Sequence, residues 1–347
     1  MKNRLLALAV LGLVAAVAVA ASASGSQRRV AGDELNGAGS SFVFPLVSAF
    51  QPTFRSGSGI KVNYNPIGSG GGIKAIQERT VDFGASDAPL TPDQFTNCKG
   101  CVQIPWALSA TSIAYRGAGL PKFLHMTGQV LAQIYMGDVK TWDDPAIKAI
   151  NAGANLPNKK ITPIYRSDAS GTSYNFTDYL AKVSPAWKSK IGVGTQPSFP
   201  VGVGGAKSAG VAGVLSQTDG GITYVDVAYA IKNNFSVFRI KNKAGKWVTP
   251  TLPGITAAAS TVTKIPANNE LHIVDAPSKK KNAYPISTFT YIILPTNSPK
   301  AKQLRQFVFW AMTTGTKQFA APLLFAPLPH NILVAAEKTL KRVQVQS

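Results

Sequence analysis

The fold of this chain is organised around residues 161–173, which read ITPIYRSDASGTS. The first five residues alternate as a short β-strand, and apolar side chains recur at helical spacing over residues 176–183. The segment between them is therefore predicted to be a strand-to-helix turn. Ser170 stands where the N-cap of the helix is expected.

The residue types in this turn favour an anion. The Arg166 guanidinium presents a planar fork of hydrogen-bond donors, which suits a tetrahedral oxyanion. Gly171 lets a ligand approach the backbone closely, and the free N–H groups at a helix N-terminus favour negative charge. We therefore predict a phosphate-type anion site here. The alternative is an ordinary capped helix with its arginine on the protein surface.

Two further turns have a related pattern. Residues 35–42 (LNGAGSSF) and 65–72 (NPIGSGGG) are rich in glycine and serine, and each precedes apolar residues at helical spacing. Simple N-capping by Ser40 or Ser41 is the alternative for the first turn. A flexible linker is the alternative for the second.

A carboxylate follows the next predicted strand. Residues 81–90 read VDFGASDAPL, in which Val81 and Phe83 suit a short buried strand. Asp87 comes soon after it, where strand ends present functional side chains in open α/β sheets. A protonated oxyanion is able to donate a hydrogen bond to this carboxylate, so Asp87 is compatible with an anion site.

The chain is strongly basic, with 36 Lys and Arg residues against 16 Asp and Glu and a formal net charge of +20. This balance invites a nucleic-acid function. However, the lysines are scattered, no recognised nucleic-acid motif is present, and the run at residues 279–281 lies between two prolines as in a solvated loop. We therefore predict no nucleic-acid partner. A basic surface would also hold the protein near an anionic envelope.

The N-terminus has the pattern of a secretory signal peptide. Lys2 and Arg4 precede an apolar run over residues 5–21, and residues 21–23 (ASA) match a cleavage site. No other stretch is long and apolar enough to span a bilayer. We predict a signal peptide at residues 1–23 and a mature protein in the periplasm or on the extracellular face of the cell envelope.

Cys98 and Cys101 are the only cysteines. In an exported protein, this pair is predicted to form a local disulfide. A thioredoxin-type redox site requires a strand that runs into a helix, whereas the pair lies between Pro92 and Pro105, which favours a loop. Zinc would lack half of its ligands, because no histidine is near in sequence, and we predict no metal site.

In combination, these segments resemble the extracytoplasmic phosphate-binding protein of the high-affinity phosphate ABC transporter. The four main segments are, in chain order, residues 37–42 (GAGSSF), 67–72 (IGSGGG), 81–89 (VDFGASDAP) and 166–172 (RSDASGT). Further matches are residues 134–137 (IYMG), 140–144 (KTWDD), 177–183 (TDYLAKV) and 221–230 (GITYVDVAYA). The resemblance covers roughly the whole mature chain and thins after Pro250.

The resemblance implies an α/β fold of the two-domain periplasmic-binding-protein type, with the ligand in the cleft between the domains. Domain I would be discontinuous and comprise residues 32–106 and 258–347, and domain II would comprise residues 107–257. Because the chain crosses between the domains twice, the crossings would form a hinge that closes over the ligand.

The resemblance also implies a ligand set. Phosphate would be held by hydroxyl groups, backbone N–H groups and one charged side chain of each sign, from Ser40, Ser41, Phe42, Ser69, Asp87, Arg166, Ser170, Gly171 and Thr172. Ser41 and Phe42 would act largely through backbone N–H groups, and Asp168 would pair with Arg166 and orient it. Two positions depart from the family: Ser41 stands where Thr is common, and Gly70 where a second Ser is common.

The implied function is capture of inorganic phosphate and its delivery to membrane permease subunits by a monomeric, non-enzymatic protein without a cofactor. One alternative is an exported phosphatase, but His125, His272 and His330 are far in sequence from the turns, and neither G-x-S-x-G nor H-E-x-x-H occurs. Another is binding of sulfate or a different oxyanion, and Asp87 argues against sulfate. The last is a surface-adhesion role carried by the basic charge.

Overall fold

The computed structural model describes residues 34–345. The predicted signal peptide, residues 1–23, lies outside the described residues. Within residues 34–345, no helix combines the length and the apolar character needed to cross a membrane.

Strands and helices alternate along most of this range. The fourteen strands of the described residues are β1 (Glu34–Gly39), β2 (Lys61–Asn65), β3 (Phe83–Ser86), β4 (Cys101–Arg116), β5 (His125–Met126), β6 (Thr162–Arg166), β7 (Val203–Gly205), β8 (Gly221–Asp226), β9 (Ser236–Val237), β10 (Arg239–Lys241), β11 (Trp247–Val248), β12 (Ser287–Pro295), β13 (Asn297–Ser298) and β14 (Gln344–Val345).

The thirteen α-helices of the same range are α1 (Phe44–Ser58), α2 (Ser69–Gln77), α3 (Pro92–Asn97), α4 (Gly128–Met136), α5 (Pro145–Lys148), α6 (Gly171–Val183), α7 (Pro185–Lys190), α8 (Lys207–Gln217), α9 (Val227–Lys232), α10 (Leu252–Ala259), α11 (Ala301–Trp310), α12 (Thr316–Phe319) and α13 (His330–Leu340). A π-helical segment, Ala311–Gly315, continues α11, and a 3₁₀ turn spans Ala321–Leu323.

Nine of these strands form one sheet in the order β2-β1-β3-β12-β4-β8-β6-β7, with β9 also paired to β4. β1 is parallel to both β2 and β3, and β6 is parallel to both β7 and β8. β12 and β4 run antiparallel between these two parallel sets. We call the two sets the β1–β3 half and the β6–β8 half.

The sixteen-residue strand β4 belongs to both halves. Its residues up to Ala110 pair with β12, whereas Thr111 and the residues after it pair with β8. The strand is buried along nearly its whole length. The two halves therefore pack as one compact unit around a shared strand.

The parallel strands of both halves end towards the loops that carry the predicted site. β1 leads into Ser40, β3 into Asp87 and β2 into the turn before Ser69. In the other half, β6 ends at Arg166 and β7 leads into α8. The carboxyl ends of parallel strands are the edge at which open α/β sheets bind ligands.

Aromatic side chains fix the helices behind this edge. Phe54 of α1 packs on Phe307 of α11, with ring centroids 5.1 Å apart. Phe176 of α6 stacks on Tyr224 of β8 at 4.2 Å. Each fully buried aromatic ring contributes about 1.5–3 kcal/mol. Helices α1 and α6, which begin at the site edge, are therefore fixed by packing against the core.

The loop predicted between Pro92 and Pro105 is confined to the turn at residues 98–100. Pro92 is the first residue of α3, where Thr91 and Gln94 form a capping box. Pro105 lies inside β4, opposite a register shift between Thr290 and Tyr291 of β12. An irregular pairing of this kind accommodates a proline, which has no N–H group for the ladder.

The two cysteines join the end of α3 to the start of β4. The structure links Cys98 and Cys101 by a disulfide, with Cα atoms 5.6 Å apart. The Arg79 guanidinium donates to the Cys98 carbonyl oxygen at 2.7 Å. The order helix-then-strand is the reverse of the one a thioredoxin-type site requires.

Candidate anion-binding site

The structure brings all the predicted ligand residues to one edge of the sheet. Every one of them is buried: Ser40, Ser41, Phe42, Ser69, Asp87, Arg166, Ser170, Gly171 and Thr172. They come from four separate loops, three in the β1–β3 half and one in the β6–β8 half. Burial of so many polar groups requires that they bond to one another or to a ligand.

Arg166 is the cation of the site. Its Nε and Nη2 atoms donate to the two carboxylate oxygens of Asp168, at 2.7 and 2.6 Å. Its Nη1 atom lies 3.4 Å from Thr172 Oγ1, and its backbone N–H donates to Tyr224 Oη at 3.0 Å. The structure thus contains the arginine–aspartate pair that the resemblance implied.

The ion pair controls the charge of Asp168. Burial acts to raise the pKa of this carboxyl, but Arg166 and backbone N–H donors together outweigh it and the net pKa shift is downward. Asp168 Oδ1 also accepts a hydrogen bond from the Lys207 N–H at 2.8 Å. Asp168 therefore stays ionised and holds the guanidinium in place.

Ser170 is the N-cap of α6, as the sequence predicted. Its hydroxyl accepts a hydrogen bond from the Ser173 N–H at 3.2 Å. The alternative of a capped helix with an exposed arginine is nevertheless wrong, because Arg166 is 3% exposed. Capping and a buried cation occur in the same turn.

The Ser40 hydroxyl donates to Asp87 and does not cap the helix that follows it. The hydroxyl lies 2.7 and 2.6 Å from the two Asp87 oxygens, and its Oγ atom accepts from the Phe42 and Val43 N–H groups at 3.1 and 3.3 Å. The N-cap of α1 is Val43, which makes no side-chain cap bond. Simple N-capping by Ser40 or Ser41 is therefore wrong, because α1 begins after Val43 and neither hydroxyl caps it.

Asp87 has an environment opposite to that of Asp168. Burial raises its pKa to about 6, although hydrogen bonds from Ser40 and Thr290 and the charge of Arg166 act to lower the pKa. Ser69 Oγ lies 3.4 Å from Asp87 Oδ2 and accepts from the Asp87 N–H at 3.2 Å. The carboxylate is thus surrounded by hydroxyl donors.

Glycines let the loops of the two halves touch. A Cβ atom on Gly171 would lie 2.7 Å from both the Asp87 nitrogen and Ser69 Oγ. A Cβ atom on Gly70 would lie 2.4 Å from Ala169 Cβ, and the Gly70 N–H donates to the Ala169 carbonyl at 2.9 Å. The second turn is therefore a packed contact, and its interpretation as a flexible linker is wrong.

Four helices begin at this edge. The N-termini of α1, α2, α6 and α8 follow β1, β2, β6 and β7, respectively. Each N-terminus leaves backbone N–H groups without partners inside its helix and carries partial positive charge. Together with Arg166, they form an environment that favours an anion.

A model of the PBP superfamily domain matches residues 19–314 of the chain. A phosphate-binding protein PstS of Xylella fastidiosa is 39% identical over 308 residues, which are 88% of this chain and 84% of that protein. A phosphate-binding protein PstS of Pasteurella multocida is 35% identical over 319 residues, which are 90% of this chain and 89% of that protein. The chain belongs to the PstS family of the PBP superfamily.

Solved structures support the same assignment of the fold. A high-affinity periplasmic phosphate-binding protein, solved with bound phosphate, superposes with a TM-score of 0.72 at 22% identity and covers 88% of this chain and 93% of that one. The predicted α/β fold, of the two-domain periplasmic-binding-protein type with a cleft between the domains, is confirmed.

The two positions at which the resemblance implied a departure are both packed. Ala169 fills the space into which a side chain on Gly70 would project. The Ser41 hydroxyl lies 3.0 Å from Ser208 Oγ.

Sequence reasoning missed four buried residues that contact the site. Ser208, Tyr224 and Asp226 come from the β6–β8 half, and Asn175 donates to the Asp87 carbonyl oxygen at 3.1 Å. One signal was available: residues 204–208 read GGAKS, a fourth small-residue turn before a helix. Tyr224 and Asp226 lie in a matched segment of the resemblance.

Within residues 34–345, no group of three or more His, Cys, Asp or Glu side chains is arranged to hold a metal ion.

Proposed function

We propose that this chain binds inorganic phosphate outside the cytoplasmic membrane and delivers it to the permease subunits of an ABC transporter. The observation that carries the proposal is the burial of Arg166 and Asp87 in one cluster of hydroxyl groups and helix N-termini. The PstS relatives are named phosphate-binding proteins, which supports the same ligand.

The chemistry of the cluster favours phosphate. An anion with four oxygens needs many donors, and the guanidinium, the hydroxyls and the backbone N–H groups supply them. At neutral pH phosphate still carries a proton, and Asp87 provides an acceptor for it. The proposed ligands are the nine buried residues Ser40, Ser41, Phe42, Ser69, Asp87, Arg166, Ser170, Gly171 and Thr172, with Asp168 orienting Arg166.

Calorimetric titration with phosphate, arsenate and sulfate tests the proposal. We expect saturable binding of phosphate, binding of arsenate because it has the same shape and proton count, and much weaker binding of sulfate. Equal affinity for sulfate and phosphate would overturn the phosphate assignment.

We also propose that the protein acts without catalysis. The PstS relatives are named phosphate-binding proteins, which supports a binding role. Incubation with p-nitrophenyl phosphate, with and without divalent metal ions, should release no nitrophenol above the buffer rate. Turnover that Arg166→Ala abolishes would favour the phosphatase alternative instead.

The domain limits are part of the proposal. Domain I comprises residues 32–106 and 258–347, and domain II comprises residues 107–257. The change of pairing partner along β4 supports a crossing near Thr111. Small-angle scattering should give a smaller radius of gyration with phosphate than without it, because a ligand that contacts both domains favours the closed state. Arg166→Ala is the control, since added phosphate should not close that variant.

The remaining parts of the proposal concern location and assembly. The protein is exported to the periplasm or the extracellular face of the envelope, works as a monomer and has no nucleic-acid partner. Light scattering of the mature chain with and without phosphate tests the monomer. Retention on a duplex DNA column at physiological salt would contradict the last point.

A further inference from the structure

Asp226 is a buried carboxyl group that the proposed ligand set does not use. It ends β8 and caps α9, where its Oδ1 atom accepts from the Tyr229 N–H at 3.1 Å. Its Oδ2 atom is buried and has no hydrogen-bond partner within residues 34–345. Such an atom costs about 1–3 kcal/mol, so its retention points to a function.

Ser208 connects Asp226 to the anion site. Its backbone N–H donates to Ser41 Oγ at 2.9 Å, and the Ser41 and Ser208 hydroxyl oxygens lie 3.0 Å apart. The Ser208 hydroxyl is also close enough to the Asp226 carboxyl to influence its ionisation, although no bond to Oδ2 has full hydrogen-bond geometry. The three side chains therefore form a row that leads from β8 to the cleft.

The surroundings of Asp226 favour its neutral form. Burial raises the pKa of this carboxyl well above its usual range, and the Tyr229 N–H and the Ser208 hydroxyl only partly oppose that shift. The charged side chains that face it are Asp87, which raises its pKa further, and Arg166, which lowers its pKa. The Tyr229 phenol also faces it, and burial together with the Asp226 charge raises the pKa of that phenol to about 12. A neutral carboxyl carries a proton that it is able to donate.

We propose that Asp226 is a positioning residue for the anion site and acts through Ser208 to set the direction in which the Ser41 hydroxyl donates. A hydroxyl donates one hydrogen bond and accepts up to two. Neutral Asp226 donates to Ser208 Oγ, and Ser208 then donates to Ser41 Oγ. Ser41, which also accepts the Ser208 N–H, keeps its own proton for an anion in the cleft.

Ionisation of Asp226 reverses the direction of hydrogen-bond donation along these three side chains. The carboxylate accepts the Ser208 proton, and Ser41 must then donate to Ser208 Oγ or lose that bond. Ser41 consequently presents a lone pair to the cleft, where an anion needs a donor. The inference rests on the proposed binding of phosphate and adds a second carboxyl group, beyond Asp87, that governs it.

The test is a double-mutant cycle of Asp226→Asn and Ser208→Ala, with phosphate affinity measured by calorimetry from neutral to alkaline pH. The asparagine amide keeps the α9 cap and donates at every pH. We expect wild type to lose affinity relative to Asp226→Asn as pH rises, by about three- to tenfold, the value of one hydrogen bond. Taking the ratio of the two proteins at each pH removes the titration of phosphate itself.

The Ser208→Ala background distinguishes a relay from a structural role. Without the Ser208 hydroxyl, Asp226→Asn should no longer change the pH dependence. The matched control is Asp144→Asn, because Asp144 caps α5 by accepting from the Ala146 N–H at 2.8 Å and takes no part in the site. The ratio of wild type to this control should not depend on pH.

The inference would be overturned if phosphate affinity depended on pH in the same way in wild type and Asp226→Asn. It would also be overturned if Asp226→Asn changed the affinity equally with and without the Ser208 hydroxyl. If Asp226→Asn does not fold, Ser41→Ala replaces it in the test. Phosphate affinity of Ser41→Ala should fall less than that of wild type as pH becomes alkaline, because the Ser41 hydroxyl is already absent. A wild type that binds no phosphate overturns both the proposed function and this inference. A wild type that binds phosphate and is weakened by Arg166→Ala, but shows no coupling of Asp226 to Ser208, overturns the relay alone.

Discussion

The two halves of the sheet bring opposite charges to the same site, and each charge is held differently. In the β6–β8 half, Arg166 is paired with Asp168 by two short hydrogen bonds. In the β1–β3 half, Asp87 is bonded by the Ser40 and Ser69 hydroxyls, and no lysine or arginine of residues 34–345 forms a salt bridge with it.

The different partners shift the pKa values of the two aspartates in opposite directions. The net pKa shift of Asp168 is downward because Arg166 and backbone N–H donors together outweigh burial, whereas burial raises the pKa of Asp87 to about 6. One half therefore offers a fixed, compensated cation that attracts any oxyanion. The other half offers a carboxylate that favours an anion with a proton. On the proposed function, affinity and selectivity therefore come from opposite sides of the site.

The largest effect should come from removal of the cation. Arg166→Ala deletes the guanidinium fork and leaves Asp168 without its partner. Truncation of one member of a buried charge pair costs about 2–5 kcal/mol, so phosphate affinity should fall by at least an order of magnitude. Calorimetry decides this, with Arg239→Ala as the matched control. Arg239 lies on β10 over the Phe123 ring, and its loss should not change the affinity.

Removal of the carboxylate should affect selectivity more than affinity. Sulfate has no proton at neutral pH, so facing Asp87 it would place two anionic acceptors in contact. Asp87→Asn relieves that repulsion, and the ratio of phosphate to sulfate affinity should fall by about 2 kcal/mol, roughly thirtyfold. Phosphate affinity itself should change little. A ratio that the substitution does not alter would show that Asp87 is not the discriminating residue.

The opposite pKa shifts predict opposite effects on stability without phosphate. The pKa of Asp87 is raised from 3.8 to about 6, so its contribution to folding is greatest below the unfolded value and is lost as pH rises through about 6. A shift of about two pKa units corresponds to about 3 kcal/mol, so Asp87→Asn should stabilise the protein by up to that amount at neutral pH and by little in acid.

Asp168 is the matched comparison for that experiment. Its pKa is lowered, so its contribution is present above the unfolded value and is lost as pH falls. Asp168→Asn should destabilise the protein at neutral pH. Thermal unfolding of both variants over a pH series measures the change in stability that each substitution causes. If both variants were stabilised, or both destabilised, at neutral pH, the contrast between Asp87 and Asp168 would be wrong.

The smallest effect should come from the cross-link in the β1–β3 half. The disulfide between Cys98 and Cys101 closes a very short loop, so its loss in a double serine variant should cost only about 1 kcal/mol of unfolding free energy. Phosphate affinity should not change, because neither cysteine belongs to the ligand set. Thiol labelling of the freshly purified protein should detect no free thiol before reduction, and two labelled cysteines would contradict the disulfide.

The sequence by itself determined the local units of this protein. The strand, turn and helix at residues 161–183, the Ser170 cap and the buried face of α1 at Leu46, Val47 and Phe50 all follow from patterns that span fewer than fifteen or so neighbouring residues. Turn chemistry and periodicity act at that range. The segments that supply the site could be recognised from the sequence because each of them is also a local pattern.

Only the tertiary structure decided which of these units meet and which partner each polar group takes. The hydroxyls of Ser41 and Ser208 are 167 positions apart, and the contact of Asn175 with Asp87 joins residues 88 positions apart. Ser40 was free to cap a helix by its local sequence, yet it bonds to Asp87. Its oxygen still accepts from the local Phe42 and Val43 N–H groups, so the tertiary structure decided only where its proton goes. A buried carboxylate without donors costs several kcal/mol, which explains why that proton goes to Asp87.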